Sequence, residues 1–219
     1  MTALHWRTVT AHMRRVLEVV GRSDLVPDFY LAGGSALALQ LGHRQSVDLD
    51  FFSETDEVRP EMHSLRSQAA HVLRSFDPEI VEQAWGNLVV GIQGCLRVGF
   101  FGYGYRLVAP PLLAVGVPLA SLVDIGLMKL DALATRASRR DFYDLYALAE
   151  HVSFRQLFDR APEKYPSVRD FEAMVVRRMV YFERAEQEEM PLLLRPVGWE
   201  TVMAFFREQA VALGNAWQE

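Results

Sequence analysis

Leu31-Ala-Gly-Gly-Ser-Ala-Leu-Ala-Leu-Gln-Leu-Gly-His-Arg-Gln-Ser-Val-Asp-Leu-Asp-Phe-Phe52 is the stretch on which the reading of this chain turns. The apolar run Phe29-Tyr-Leu-Ala32 predicts a buried strand that runs into Gly33 and Gly34. Ser35-Ala-Leu-Ala-Leu-Gln-Leu41 is built from strong helix formers, and Gly42 supplies a residue suited to ending a helix. Val47-Asp-Leu-Asp-Phe-Phe52 alternates and predicts a second strand. Residues two apart on a strand share a face, so Asp48 and Asp50 project side by side while Leu49 points the other way.

This order of parts has a chemical meaning. A helix start preceded by two glycines offers backbone N–H groups and the positive end of a helix dipole, which suits a triphosphate. Two adjacent carboxylates favour a hard, oxygen-seeking ion, Mg²⁺ or Mn²⁺, which can bridge phosphate oxygens during an in-line displacement at phosphorus. Each part alone is ordinary: Asp-x-Asp is common at strand ends, and Gly-Gly before a helix is common turn chemistry. Their succession in one strand–helix–strand unit points to nucleotide transfer.

A second block lies far downstream. Ser121-Leu-Val-Asp124 and Ser138-Arg-Arg-Asp141 both have the form of a capping box, so each predicts a helix start. Lys129 and Arg136 are two turns apart and share a helix face, where they would hold the β- and γ-phosphates and offset developing charge. Asp141 falls in a first helical turn, where the dipole favours a carboxylate. The same residues also read as a solvated cationic face with Asp141 and Asp144 as first-turn charges.

Gly-Gly-Ser followed by Gly-His-Arg-x-Ser-x-Asp-Leu-Asp-Phe-Phe resembles the first motif of the AbiEii/AbiGii nucleotidyltransferase toxins, relatives of the polymerase β-type nucleotidyltransferases. Asp124-Ile-Gly-Leu-Met-Lys-Leu-Asp-Ala-Leu133, Arg136 and Arg140-Asp-Phe-Tyr-Asp-Leu-Tyr-Ala-Leu148 are similar to that family's second signature. The resemblance spans roughly residues 29 to 150. It implies an α+β fold, a polymerase β-like core with a small mixed sheet flanked by helices, followed by a helical bundle closing the nucleotide cleft. It further implies Asp48 and Asp50 as metal ligands, and Asp48, Asp50, Lys129 and Asp141 as catalytic residues. Gly33, Gly34, Ser35, Arg44, Ser46, Lys129 and Arg136 would contact the nucleotide. The implied reaction moves a nucleoside monophosphate from an NTP to an acceptor hydroxyl, with RNA, including a tRNA 3′ end, as the suspected acceptor and an antitoxin as a partner.

One departure stands out. Polymerase β-type enzymes generally carry a third metal-site carboxylate on a later strand, yet no Asp or Glu occurs between Gln83 and Val123. That role would pass to Glu79, to Glu82, to Asp141 (which the resemblance favours) or to no residue at all. In the last case the chain becomes a catalytically weakened nucleotide- or partner-binding module on the same scaffold.

Composition bounds the rest. The 219 residues suffice for one large or two small domains, read as a nucleotidyltransferase core over 1–118 and a helical domain over 119–219. Half the residues are hydrophobic and 23% are charged, which supports a sizeable core. No apolar run reaches bilayer-spanning length, Met1 to Val20 lacks a signal-peptide pattern, and a lone Cys95 fits a reducing cytoplasm. Cys95 is expected in the core of an apolar strand. A net charge of −5 argues against a broad nucleic-acid surface, though arginines cluster at 136–140 and 177–184. Helices are expected over 5–20, 59–76, 167–184 and 198–213, with a strand meander over 79–108.

Overall fold

The structure, a computed structural model, describes residues 3–55, 62–84 and 86–216. The chain divides into two compact units, Met1–Ser121 and Leu122–Glu219. The first contains α1 (Ala11–Val20), β1 (Tyr30–Ala32), α2 (Gly33–Leu41), β2 (Asp48–Ser53), α3 (Met62–Val72), β3 (Pro78–Ala84), β4 (Asn87–Ile92), β5 (Leu96–Gly102), β6 (Leu112–Ala114) and β7 (Val117–Leu119). Its strands form one mixed sheet in the order β3-β4-β5-β2-β1-β7-β6. The pairs β2/β5 and β1/β7 are parallel and the others antiparallel.

The strand–helix–strand unit forms as its pattern predicts. Gly42 ends α2 in the left-handed conformation, φ 68°, which costs glycine nothing because it has no Cβ. Ala36, Leu37, Ala38 and Leu39 are fully buried, as expected of a helix apolar on every side. Along β2, Leu49 and Phe51 are fully buried while Asp48, Asp50 and Phe52 are half-buried. The alternation therefore puts both carboxylates on the more open face. In the parallel register with β5, Asp48 stands beside Arg97, Asp50 beside Gly99 and Phe52 beside Phe101.

The second unit is helical: α4 (Leu122–Thr135), α5 (Arg139–Leu148), α6 (Phe154–Lys164), α7 (Phe171–Arg178), α8 (Glu183–Glu186) and α9 (Trp199–Asn215). Its core gathers around Phe142, whose ring lies 4.9 Å from Phe206, 5.2 Å from Phe182 and 5.6 Å from Trp199. Ser138 starts α5 as expected, accepting a hydrogen bond from the Asp141 backbone N–H.

Several expectations need correction. The segment 5–20 is a 3-10 turn (Trp6–Thr8) followed by α1, because the Thr10 hydroxyl accepts from Met13 N and caps a new helix. The helix expected over 59–76 ends at Val72 before a separate 3-10 turn, and residues 59–61 lie outside the described ones. The helix expected over 167–184 is α7 and α8, separated by Met179–Phe182. Two elements went unread: the β6–β7 hairpin and α6, whose start is a capping box of Ser153 and Gln156. Cys95 is exposed beside the tight β4–β5 turn rather than buried in a strand.

Candidate active site

Asp48 and Asp50 are held against the start of α2. Gly33 has φ 63°, and a Cβ there would sit 3.2 Å from Asp50 Oδ2, so this glycine is needed both for its backbone conformation and for the approach of the carboxylate. A Cβ on Gly34 would collide with the Arg44 guanidinium. Arg44 is buried and donates from Nη1 to the Gln45 carbonyl at 2.9 Å. The Ser35 hydroxyl donates to the Asp48 carbonyl and lies 2.9 Å from Ser46 Oγ, tying the helix start to the head of β2. Ser46 N donates in turn to the Thr8 carbonyl at 2.8 Å. The fold thus gathers Gly33, Gly34, Ser35, Arg44, Ser46, Asp48 and Asp50 at one place. The Ser35 side chain spends its hydrogen bonds on the protein, so its part is to fix the carboxylate strand.

The donor set suits a divalent ion. Two carboxylates on one strand face are hard ligands, and the backbone beside Asp50 leaves no Cβ to crowd it. Among the described residues no group of three or more His, Cys, Asp or Glu side chains could hold a metal. Such an ion would therefore complete its shell with phosphate oxygens and water, as Mg²⁺ commonly does. The neighbouring strand offers no third carboxylate. A Cβ at Gly99 would run into the Phe101 ring and lie 3.4 Å from Asp50 Oδ1. Glu79 and Glu82 lie on β3, three strands from β2, or about 14 Å at the usual strand spacing, too far to share an ion with Asp50.

In the helical unit Lys129 is wedged between two buried carboxylates. Its Nζ lies 2.8 Å from Asp141 Oδ1 and 2.6 Å from Asp144 Oδ2. Arg136, just beyond the end of α4, donates to Asp141 from Nε at 2.9 Å and Nη2 at 3.1 Å. Ser138 Oγ adds a donor at 2.6 Å. Burial alone would push the Asp141 carboxyl up, but the Lys129 and Arg136 charges and hydrogen bonds together hold it well below the usual carboxylate range. A carboxylate so satisfied is a weak base and a strong clamp. Lys129 and Arg136 do converge, but on Asp141.

The sequence profile of the nucleotidyl transferase AbiEii toxin, of type IV toxin–antitoxin systems, matches residues 15–218. The chain belongs to the AbiEii family. An uncharacterised protein of Aquifex aeolicus is 33% identical to this AbiEii chain over 207 residues, covering 93% of this chain and 96% of the relative. The MenT4 nucleotidyltransferase toxin of Mycobacterium tuberculosis shares its fold with a TM-score of 0.60 at 18% identity, over 93% of this chain and 82% of MenT4. A Helicobacter pylori protein described as a candidate nucleotidyltransferase aligns with a TM-score of 0.55 at 18% identity, over 94% and 93% of the two chains. The architecture of this AbiEii protein is therefore the polymerase β-like nucleotidyltransferase fold.

Two members of the helical unit's charge network escaped the sequence reading. The solvated-face reading makes Asp144 a first-turn charge, whereas it is fully buried one turn after Asp141 on the same face of α5. Asp124 had been taken as a capping residue. It is fully buried, 2.9 Å from Lys164 Nζ. No local pattern announces a partner forty residues away.

Proposed function

We propose that this AbiEii protein transfers a nucleoside monophosphate from an NTP to an acceptor hydroxyl, releasing pyrophosphate, and acts as the toxin of a toxin–antitoxin pair in the cytoplasm. The observation that carries the reading is the packing of Asp50 on Gly33 and of Arg44 on Gly34, which sets a carboxylate and a cation at the start of one helix. In this reading the acceptor oxygen bonds to the α-phosphorus as the α–β bridging bond breaks, and the hydroxyl proton leaves to solvent. Mg²⁺ or Mn²⁺, held by Asp48 and Asp50, would supply Lewis-acid stabilisation of the phosphoryl charge. Gly33, Gly34 and the start of α2 cradle phosphate, Arg44 adds charge, and Ser35 and Ser46 brace the strand. Lys129 and Arg136 contribute cationic charge from the helical unit, with Asp141 holding both. RNA, including the tRNA 3′ end, is the acceptor we favour, by likeness to the family.

The test is incubation of the protein with Mg²⁺, total RNA and each α-³²P-labelled NTP, beside an Asp48→Asn/Asp50→Asn control. Label on RNA that needs both carboxylates supports the reading. Label on protein alone would replace the acceptor, and Mg²⁺-dependent NTP binding without transfer would favour a second reading. That second reading, a nucleotide- or partner-binding module with weakened catalysis, draws on the closed position at Gly99, where a third carboxylate cannot sit beside Asp50.

A further inference from the structure

We infer that the aromatic row Phe101, Phe52, Tyr103 and Tyr105 is a stacking platform that holds the acceptor as single-stranded RNA, with its unpaired terminal base on Phe101. The inference rests on the proposed reaction and gives its acceptor a place and a chemistry.

The two faces of one strand pair set this row apart. Phe51 and Phe100 stand side by side on β2 and β5, 5.2 Å apart, and are wholly buried. Their chain neighbours Phe52 and Phe101 turn to the face that carries Asp48 and Asp50, 5.4 Å apart, and remain partly exposed. Tyr103 continues the row at 5.7 Å from Phe52, and Tyr105 follows at 5.1 Å from Tyr103, both partly exposed as well. The segment after β5 is tied beside the end of β2. Tyr103 N donates to the Ser53 carbonyl at 3.0 Å and Leu107 N to Glu54 Oε1 at 2.9 Å. Neighbouring rings kept partly in water are apolar area that folding has left unburied. Single-stranded nucleic acid uses such a row, because every base has a face to stack.

Geometry at Asp50 decides which nucleotide lies there. On one side β2 is flanked by β1, which runs into Gly33 and α2, and on the other by β5. Oδ2 of Asp50 stands 3.2 Å from a Cβ placed on Gly33, and Oδ1 stands 3.4 Å from a Cβ placed on Gly99 of β5. The Phe101 ring fills that second position. In-line displacement sets the attacking and leaving oxygens on opposite sides of the phosphorus. In the proposed reaction pyrophosphate leaves toward the start of α2, so the acceptor hydroxyl enters from the Phe101 side.

Transfer kinetics on a short single-stranded RNA test this, with the α-³²P-labelled NTP that the intact protein transfers. Phe101→Leu and Tyr103→Leu keep apolar bulk and remove the ring. Each should raise KM for RNA about tenfold, the usual worth of one stacked base, while KM for NTP stays close to the parent's. Tyr103→Phe keeps the ring and should bring KM back. An RNA ending in an abasic ribose retains the hydroxyl, loses the base and needs no variant. The parent protein should use it with a similar rise in KM, and Phe101→Leu should show little further loss, since both changes remove one contact.

An abasic end used as well as a natural one, or losses that multiply in Phe101→Leu, would overturn the inference and leave the transfer reaction standing. Unchanged KM for RNA in both leucine variants would do the same. Label on protein alone would replace the acceptor and overturn the inference. No transfer by the intact protein from any NTP would remove the proposed reaction, and the inference with it.

Discussion

Gly33 and Asp50 are in contact across the β1–α2 turn: the carboxylate Oδ2 stands 3.2 Å from where a Cβ on Gly33 would be. Helix start and carboxylate-bearing strand therefore cannot be adjusted separately. Gly33→Ala would strain the backbone, since φ is 63°, at a cost of about 1–2 kcal/mol. It would also press on the carboxylate. We expect a modest fall in melting temperature, read by thermal denaturation, and a disproportionate loss of nucleotide transfer. Equal losses in both would mean that the turn matters only for folding.

Acid stability should report on Asp141. Its carboxyl is held below the ordinary range in the folded chain, so its stabilising contribution is complete above the unfolded pKa of about 3.9. That contribution is lost as the pH falls from there through the folded value. Arg136→Ala brings the folded value closer to the unfolded one. The variant should be less stable at pH 7 by about 1 kcal/mol, a figure kept small because the Arg136 side chain is 56% exposed. Its urea midpoint should also change less steeply below pH 4 than that of the parent protein.

Much of the first unit was legible because its signals are local. Glycines at the turn, an unbroken apolar helix and the alternation of β2 fall within two dozen residues, and periodicity reads such spans well. The β6–β7 hairpin was hidden because its turn uses Val115 at φ 47°, a left-handed conformation that β-branched residues rarely adopt. Cys95 was misplaced because the turn at Gln93 and Gly94, φ 49° and 66°, takes in Cys95 as well, and β5 starts only at Leu96. At the site, Asp48 and Asp50 could be paired from spacing alone. The clamp of Asp141 and Asp144 on Lys129 could not, because it depends on how two helices pack.

The buried pair Lys164–Asp124 gives a prediction apart from catalysis. Both side chains are wholly buried and lie 2.9 Å apart, joining α6 to α4. Lys164→Met leaves a carboxylate without its charge partner, and should cost about 3–5 kcal/mol. Adding Asp124→Leu replaces the whole pair with apolar groups and should recover most of that loss. Urea denaturation of the two variants decides it. A double variant no better than the single would mean that the pair orders the helices in a way apolar packing cannot replace.

The closed position on β5 yields the last prediction. Gly99 stands beside Asp50 in the parallel register, and the Phe101 ring occupies the space a side chain would need. Gly99→Asp should therefore destabilise the chain by about 1–3 kcal/mol through overpacking. Phe101→Ala in the same chain removes the obstruction and allows a third carboxylate near Asp50. Carboxylates so close repel and raise one another's pKa unless a cation lies between them. The double variant should thus gain more in melting temperature from millimolar Mg²⁺ than the parent protein does, with half-saturation at a lower concentration. Thermal denaturation across a Mg²⁺ series measures both quantities. A response equal to the parent's would mean that residue 99 does not address the ion proposed to sit on Asp48 and Asp50, and the assignment of that strand face to metal would have to be withdrawn.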